Sequence, residues 1–290
     1  MQKIKFIADT ASDIPDDLML KYNIDMPSVP IAVDGKEYFE RRSFSIHEFY
    51  KILAKTKEIP KTSRVPADDF LAFYEKAYED GYTDIICVTI NAGGSGTNMS
   101  AHMARDILYK KRPEAKDKIK IHIIDSKTYT MAYGYPVVQS ARMAQDGKDV
   151  GEILLYLHDF FDTCEVLLGC YTLEYAKKSG RISSVAAFAG DALGLKPVVE
   201  MIDGRTKVVA KARGDKQLIP QLVKLYEERR CSEDGFVMVA CGAVTQYGID
   251  LQQALKEKLG RDVPIFNAGA SIVINSGPNI AAVIYRGRKR

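Results

Sequence analysis

The chain has 290 residues, of which 46% are hydrophobic and 27% are charged, and these values are typical of a globular protein rather than a disordered one. A chain of this length is expected to form two domains. Forty-one basic residues against 38 acidic ones leave a formal net charge of +3. That surplus is too small for an extended phosphate-binding face, which argues against a nucleic-acid partner.

The sequence predicts neither a membrane anchor nor a metal site. Its two longest charge-free runs, 85–104 and 263–285, are interrupted by Gly, Asn and Ser, and the second also contains prolines. The first residues lack the long apolar core and cleavage region of a signal peptide, so a cytoplasmic protein is expected. The five cysteines form no Cys-x-x-Cys pair, and the four histidines are too widely spaced for a short metal-binding motif.

Strands alternate with helices in the first half of the chain. Strands are predicted at 3–8, 84–90 and 118–125, and helices from Pro15 onward and at about 67–79, 98–110 and 129–145. Ser12 or Asp13 is expected to cap the helix that opens at Pro15. This alternation predicts an α/β fold with a mostly parallel sheet and helices on both faces.

The pattern changes after the turn-forming residues 146–149. The elements predicted beyond them are a helix at 150–164, a strand at 166–171, paired strands within 196–211, helices at 216–230 and 249–259, and strands at 235–241 and around Ile272 and Ala282. Asp203 and Gly204 are typical of a hairpin turn between the paired strands. We therefore expect two domains, 1–149 and 150–290, the second being α+β with a mixed or antiparallel sheet.

A glycine-rich loop at 91–97 separates an apolar strand from a helix, which is where open α/β proteins bind ligands. Backbone N–H groups at the start of that helix, with the hydroxyls of Ser95 and Thr97, favour an anion. The loop matches neither a dinucleotide fingerprint, because Met99 replaces the third glycine, nor a phosphate-binding P-loop, because no Lys follows. It approaches a hydrolase nucleophile elbow, with Thr97 in place of the last glycine. A simple strand-to-helix turn capped by Ser95 is equally compatible with the spacing.

The polar loops, taken in order, resemble those of the DegV family of bacterial fatty-acid-binding proteins. Residues 9–15 are similar to the family's Asp-Ser-Thr-Ser-Asp-Leu-Pro, 61–63 to its Thr-Ser loop, 95–97 to its Ser-Gly-Thr loop and 124–126 to its Asp-Ser strand end. Residues 173–183 resemble its Leu-x-x-Leu-x-x-Gly-Gly-Arg-Ile-Ser, and 194–197, 203–204, 211–213 and 277–278 follow in register. The resemblance thus extends over essentially the whole chain.

This resemblance implies a long-chain fatty acid buried in a tunnel between two domains and presented to a fatty acid kinase. By position, Thr62 and Ser95 match the family's carboxylate-binding hydroxyls. Other residues expected to contact the head group or the partner are Ser63, Arg64, Gly96, Thr97, Arg181, Arg213 and Asn275. No catalytic residue, cofactor or metal is implied, and transient contact with a membrane surface fits a lipid carrier. Apolar segments at 185–190 and 265–274 are candidates for the tunnel lining.

Three departures from the family pattern concern the head group. Arg64-Val-Pro66 replaces Gln-Pro-Ser, Asn91-Ala92 replaces Ser-Ser, and Asn275 stands where a His is common. We hypothesise that Arg64 adds positive charge to the carboxylate site.

Two other functions remain open from the residues themselves. An acyl or ester hydrolase with Ser95 as nucleophile needs a histidine base, and His102, His122 and His158 follow no recognisable triad order. A binding module for a phosphorylated metabolite would use the same glycine loop.

Overall fold

The chain forms two compact units in the computed structural model, which describes residues 2–182, 194–231 and 235–288. Unit 1 consists of Met1–Ala32, Lys36–Ser43 and Thr62–Phe161, and unit 2 of Val33–Gly35, Phe44–Lys61 and Asp162–Arg290. Unit 2 thus includes two short segments from the first quarter of the chain. The expected domain ranges, 1–149 and 150–290, stay a prediction.

The secondary structure is as follows. The strands are β1 (Ile4–Ala8), β2 (Ile24–Asp25), β3 (Pro30–Val33), β4 (Lys36–Phe39), β5 (Lys61–Thr62), β6 (Asp84–Thr89), β7 (Lys120–Asp125), β8 (Cys164–Cys170), β9 (Leu195–Ile202), β10 (Arg205–Arg213), β11 (Val237–Cys241), β12 (Ile265–Asn267) and β13 (Ile280–Arg286). The helices are α1 (Asp16–Lys21), α2 (Ile46–Leu53), α3 (Ala67–Glu79), α4 (Thr97–Lys111), α5 (Ala115–Lys118), α6 (Met131–Gln145), α7 (Val150–Thr163), α8 (Glu174–Ser179), α9 (Leu218–Arg229), α10 (Thr245–Leu259) and α11 (Ala270–Ser276).

The main sheet of unit 1 is parallel, with strand order β2-β1-β6-β7. Strand β6, one of the two inner strands, is buried along its whole length, as expected from its apolar residues 85–88. Because the strands are parallel, the loops that follow β1, β6 and β7 all leave the sheet at one edge. The predicted N-terminal parallel sheet is confirmed.

The sheet of unit 2 has the order β10-β9-β8-β13-β11-β12. Its pairs are antiparallel except β11 with β12. Asp203 and Gly204 both have positive φ, 48° and 73°, as a two-residue hairpin turn between β9 and β10 requires. The predicted mixed sheet and hairpin are therefore confirmed. Leu222, Leu251 and Val283 lie in a buried cluster that joins this sheet to α9 and α10.

The strand predicted around Ile272 is wrong, because Ala270–Ser276 form the helix α11. The run of β-branched residues favours a strand locally, but the buried side chains of Ala270, Val273 and Ile274 recur at helical spacing and α11 packs against α8. Gly277, with φ 95°, ends the helix by donating its N–H to the Val273 carbonyl. Tertiary packing thus overrides the local preference.

The cap predicted before α1 is also wrong. Pro15 is the residue that precedes this helix, and no side chain caps it. The preceding loop instead forms a short 3-10 turn at Thr10–Ser12, where Asp9 accepts the Ala11 N–H and Asp13 ends the turn with φ 55°. This arrangement turns the carboxylate of Asp9 inward.

Within the described part of the chain, no helix combines the length and apolar character needed to cross a bilayer. The segment 185–190, a candidate tunnel lining, lies outside the described residues. The other candidate, 265–274, contains β12 and part of α11.

Gly134 of α6 allows this helix to pass close to the loop after β1, because a Cβ there would overlap the Ser12 carbonyl oxygen. We expect Gly134→Ala to lower the free energy of unfolding by about 1–3 kcal/mol, as overpacking does. Urea unfolding measures the effect. Ser140→Ala is the control on the same helix: its hydroxyl is buried without a hydrogen-bond partner among the described residues, so its removal should be nearly neutral. A larger loss from Ser140→Ala than from Gly134→Ala would contradict this packing.

Candidate functional site

Three loops meet at the carboxyl edge of the unit 1 sheet and are tied by hydrogen bonds. Ile90 follows β6 and Asp9 follows β1, and the Ile90 N–H donates to Asp9 Oδ2 at 2.9 Å. The Asn91 N–H donates to the Thr128 carbonyl, after β7, at 3.1 Å. Thr130 also donates its hydroxyl to Asp13. The position of the glycine loop is therefore set by both neighbouring strands.

Asn91 organises the glycine loop from within. Its side-chain oxygen accepts the Gly93 N–H at 3.0 Å, and its carbonyl accepts the N–H groups of Gly94 and Ser95, each at 3.1 Å. Its side-chain NH₂ donates to the Tyr129 hydroxyl at 2.8 Å. An Asn side chain has separate acceptor and donor atoms for such a turn, whereas a Ser side chain has a single hydroxyl oxygen for both purposes. The departure from the family's Ser at this position thus has a structural role.

Ser95 and Thr97 share a pair of hydroxyls at the start of α4. Ser95 Oγ accepts the Thr97 N–H at 3.2 Å and lies 2.9 Å from Thr97 Oγ1, which itself accepts the Val65 N–H at 3.2 Å. When the Thr97 hydroxyl donates to Ser95, both acceptor positions of Ser95 Oγ are filled and its own proton is available to donate to a ligand. Ser95 is half-buried and Thr97 is buried. The arrangement suits an acceptor-only group such as a carboxylate or a phosphate.

Arg64 lies against the same turn. A Cβ at Gly96 would come within 2.9 Å of Arg64 Cδ and 3.6 Å of its Nη1, so Gly96 permits this close approach. The Arg64 side chain is exposed, and its charge adds to the positive end of the α4 dipole. The structure thus brings four predicted site residues together: Arg64, Ser95, Gly96 and Thr97.

Thr62 and Ser63 are on the segment that leads to Arg64. Thr62 belongs to β5, the edge strand of a small sheet with the order β4-β3-β5, and is half-buried. Ser63 is exposed and donates its backbone N–H to the Pro30 carbonyl at 3.0 Å. The carboxylate-binding roles of Thr62 and Ser95 stay predictions.

Two of the predicted residues in unit 2 are joined through Ser179. The Ser179 hydroxyl donates to the Asn275 carbonyl at 3.1 Å and accepts the Arg181 N–H at 3.2 Å. The Asn275 side chain donates to the Ser271 carbonyl at 2.7 Å, one turn earlier in α11. Arg213 is exposed at the end of β10, opposite Leu195 in register. Their expected contacts with the head group or the partner stay predictions.

Asp9 supports the glycine loop, a role that the sequence did not predict. It is wholly buried and accepts the Tyr133 hydroxyl at 2.8 Å as well as the Ile90 and Ala11 N–H groups. Burial raises the pKa of Asp9 to about 6, although these three hydrogen bonds lower it, and nearby Glu40 contributes to the rise. The carboxylate at the end of an apolar strand is the sequence feature that could have indicated this role. Its hydrogen-bond partner Tyr133 is distant in sequence, so the pairing left no local pattern.

The histidines do not supply a base for Ser95 in the described part of the protein, where the hydrogen-bond partner of the Ser95 side chain is Thr97. His122 lies 3.0 Å from Asp84, at the start of β6 and thus at the opposite edge of the sheet. Burial lowers the pKa of His102, which lies along α4. Nor do the described residues contain a group of three His, Cys, Asp or Glu side chains suited to a metal ion. The loop thus offers backbone and hydroxyl donors, which suit an anion.

The family model described as "Uncharacterised protein, DegV family" matches residues 3–288. The chain belongs to the DegV family. A DegV domain-containing protein of Clostridium perfringens is 32% identical over 283 residues, which cover 97% of this chain and 98% of that protein. The resemblance identified from the loops is thus confirmed along the chain.

Solved structures of DegV proteins share the fold. The fatty acid binding DegV family protein of Streptococcus agalactiae superposes with a TM-score of 0.86 at 25% identity, covering 99% of this chain and all of that one. A stearic acid-binding protein from Eubacterium ventriosum gives a TM-score of 0.87 at 24% identity, covering 99% and 98%. The α/β fold class with its two kinds of sheet is therefore that of the DegV family.

Proposed function

We propose that this DegV protein binds a long-chain fatty acid, holds its carboxylate with the hydroxyls of Ser95 and Thr62, and presents it to a fatty acid kinase for acyl-phosphate formation. The observation that carries the proposal is the Ser95–Thr97 hydroxyl pair at the start of α4, in which Ser95 Oγ accepts the Thr97 N–H and keeps its own proton for a ligand when the Thr97 hydroxyl donates to it. The Streptococcus agalactiae neighbour, a fatty acid binding DegV protein at 25% identity, supports an acyl ligand over a phosphorylated metabolite.

The acyl chain and the head group contribute differently to such binding. Burial of hydrocarbon contributes roughly 0.8 kcal/mol per CH₂, so a long chain supplies most of the affinity. A hydrogen bond to a charged group contributes about 1.5–3 kcal/mol. The hydroxyls therefore fix the orientation of the ligand and leave its carboxylate at an accessible position.

The remaining candidate residues have supporting roles in the proposal. Gly96 and Thr97 shape the turn that presents Ser95, and Arg64 and Ser63 flank it with positive charge and a hydroxyl. Arg181 and Arg213 are exposed cations of unit 2, and we assign them to the head group or to the kinase surface together with Asn275. Asn275 is neutral at all pH values, so it cannot supply the charge of a histidinium.

In this proposal the protein is a carrier and not a catalyst. Two assays distinguish the carrier function from that of a hydrolase. Acyl phosphate should form when the loaded protein is mixed with ATP and a fatty acid kinase. Turnover of a chromogenic ester that disappears in Ser95→Ala would instead favour the hydrolase.

Ser95→Ala should weaken binding of a fatty acid about tenfold or more, because it removes a hydrogen bond to a charged group. Binding of the methyl ester of the same acid should change less, by about two- to tenfold, because a hydrogen bond to its neutral carbonyl contributes only about 0.5–1.5 kcal/mol and its chain contacts are unaltered. Titration calorimetry with both ligands measures the difference, and Thr62→Ala should behave in the same way. Equal losses for acid and ester would show that Ser95 does not hold the carboxylate.

Arg64→Gln keeps a side chain over Gly96 but removes its charge. We expect binding of the fatty acid to weaken by about two- to fivefold at low ionic strength and by less at high salt, since exposed charges are screened. Lys116→Gln is the matched control, because Lys116 is an exposed cation on α5 at the opposite edge of the sheet. If both variants bind as the native protein does at low salt, Arg64 adds no charge to the site.

A further inference from the structure

Asp9 is joined to Ser95 by a short path through the glycine loop. Asp9 Oδ2 accepts the Ile90 N–H at 2.9 Å. The next residue, Asn91, accepts the Ser95 N–H with its carbonyl at 3.1 Å. The carboxylate thus fixes Ile90, the residue directly before the Asn91 carbonyl on which the Ser95 turn is built. No ligand contact of its own is needed for Asp9 to affect that turn.

The side chain of Asp9 accepts three hydrogen bonds, and its ionised form suits all three of them. Oδ1 accepts two of them, the Ala11 N–H at 3.2 Å and the Tyr133 hydroxyl at 2.8 Å, and Oδ2 accepts the third, from Ile90. An ionised carboxylate accepts at both oxygens, whereas a protonated one carries a hydrogen on one of them. Oδ2 accepts only one hydrogen bond, so protonation of the carboxylate at Oδ2 disturbs fewer hydrogen bonds than protonation at Oδ1. Protonation therefore weakens the bond that holds Ile90.

The surroundings of Asp9 favour proton uptake in the mildly acidic range. Burial, with a smaller contribution from the neighbouring Glu40, raises its pKa to about 6. Glu40 itself accepts the Thr10 hydroxyl at 2.9 Å. The other titratable groups that act on Asp9 are Tyr133 on α6 and Cys87 on β6. Burial raises the pKa of both of these, so both are neutral where Asp9 titrates.

We propose that Asp9 is a positioning residue whose ionised carboxylate holds the Ser95 turn in its anion-binding form, and whose protonation loosens that turn and releases the ligand. This inference rests on the proposed binding of a fatty acid at Ser95. It adds a control by pH to that site: the ligand is held at neutral pH and released in acid.

The test uses hexadecanesulfonate, whose head group stays ionised at mildly acidic pH, so the ligand itself does not titrate. With the pKa of Asp9 at about 6, only about a tenth of the protein is ionised at about pH 5. The native protein should therefore bind the sulfonate about tenfold more weakly at about pH 5 than at about pH 7.5. Asp9→Asn should bind it weakly at both pH values. The single oxygen of the Asn side chain is expected to face the two donors at the Oδ1 position, which leaves its NH₂ group facing the Ile90 N–H.

Asp84→Asn is the matched control, since Asp84 is also a buried acid of unit 1 but lies at the start of β6, beside His122. It should keep the affinity and the pH dependence of the native protein. Asp9→Asn binding as tightly as the native protein, or with the same pH dependence, would overturn the proposal. Failure of the native protein to bind either the sulfonate or a fatty acid at any pH would instead refute the proposed function.

A second measurement needs neither a ligand nor a variant. Amide NMR of the native protein across this pH range should show the Ile90 and Ser95 resonances titrating together, with a midpoint near the pKa of about 6. Resonances of Ile90 and Ser95 that do not titrate, or that titrate with unrelated midpoints, would overturn the proposed coupling even if Asp9→Asn failed to fold.

Discussion

The hydrogen bond between the Ile90 amide and the Asp9 carboxylate joins the ends of two neighbouring parallel strands, β1 and β6. A parallel sheet leaves the loops at its carboxyl edge without regular partners, so their backbone groups have to be satisfied by side chains. Asp9 does this for Ile90 and Ala11, and Asn91 does it for Gly93. The shape of the turn at Ser95 depends on these buried acceptors.

The proposed head-group site contains few charged groups. Ser95 Oγ accepts the Thr97 N–H and pairs with the Thr97 hydroxyl, which in turn accepts the Val65 N–H, so Ser95 can donate to a ligand when Thr97 donates to Ser95. Arg64 adds an exposed charge beside Gly96, where solvent screens it. Orientation therefore depends on donor geometry, and affinity for a lipid depends mainly on the burial of its hydrocarbon.

The sequence predicts those parts of the molecule that depend on neighbouring residues. Apolar runs gave the parallel strands, and Asp203 with Gly204 gave the hairpin, because each depends on local periodicity or on positive φ. The nature of α11 depends on packing against α8, and the tie between Asp9 and Tyr133 spans 124 residues. Long-range contacts of this kind leave no local pattern, so the glycine loop was predictable and its buried support was not.

Native mass spectrometry of the gently purified protein tests most directly whether this DegV protein carries a fatty acid. We expect a single non-covalent adduct that is released on denaturation as an unmodified long-chain carboxylic acid. Its occupancy should fall in the double variant Thr62→Ala/Ser95→Ala. Protein that is always unliganded, or that carries a phosphorylated compound in place of a fatty acid, would contradict the account.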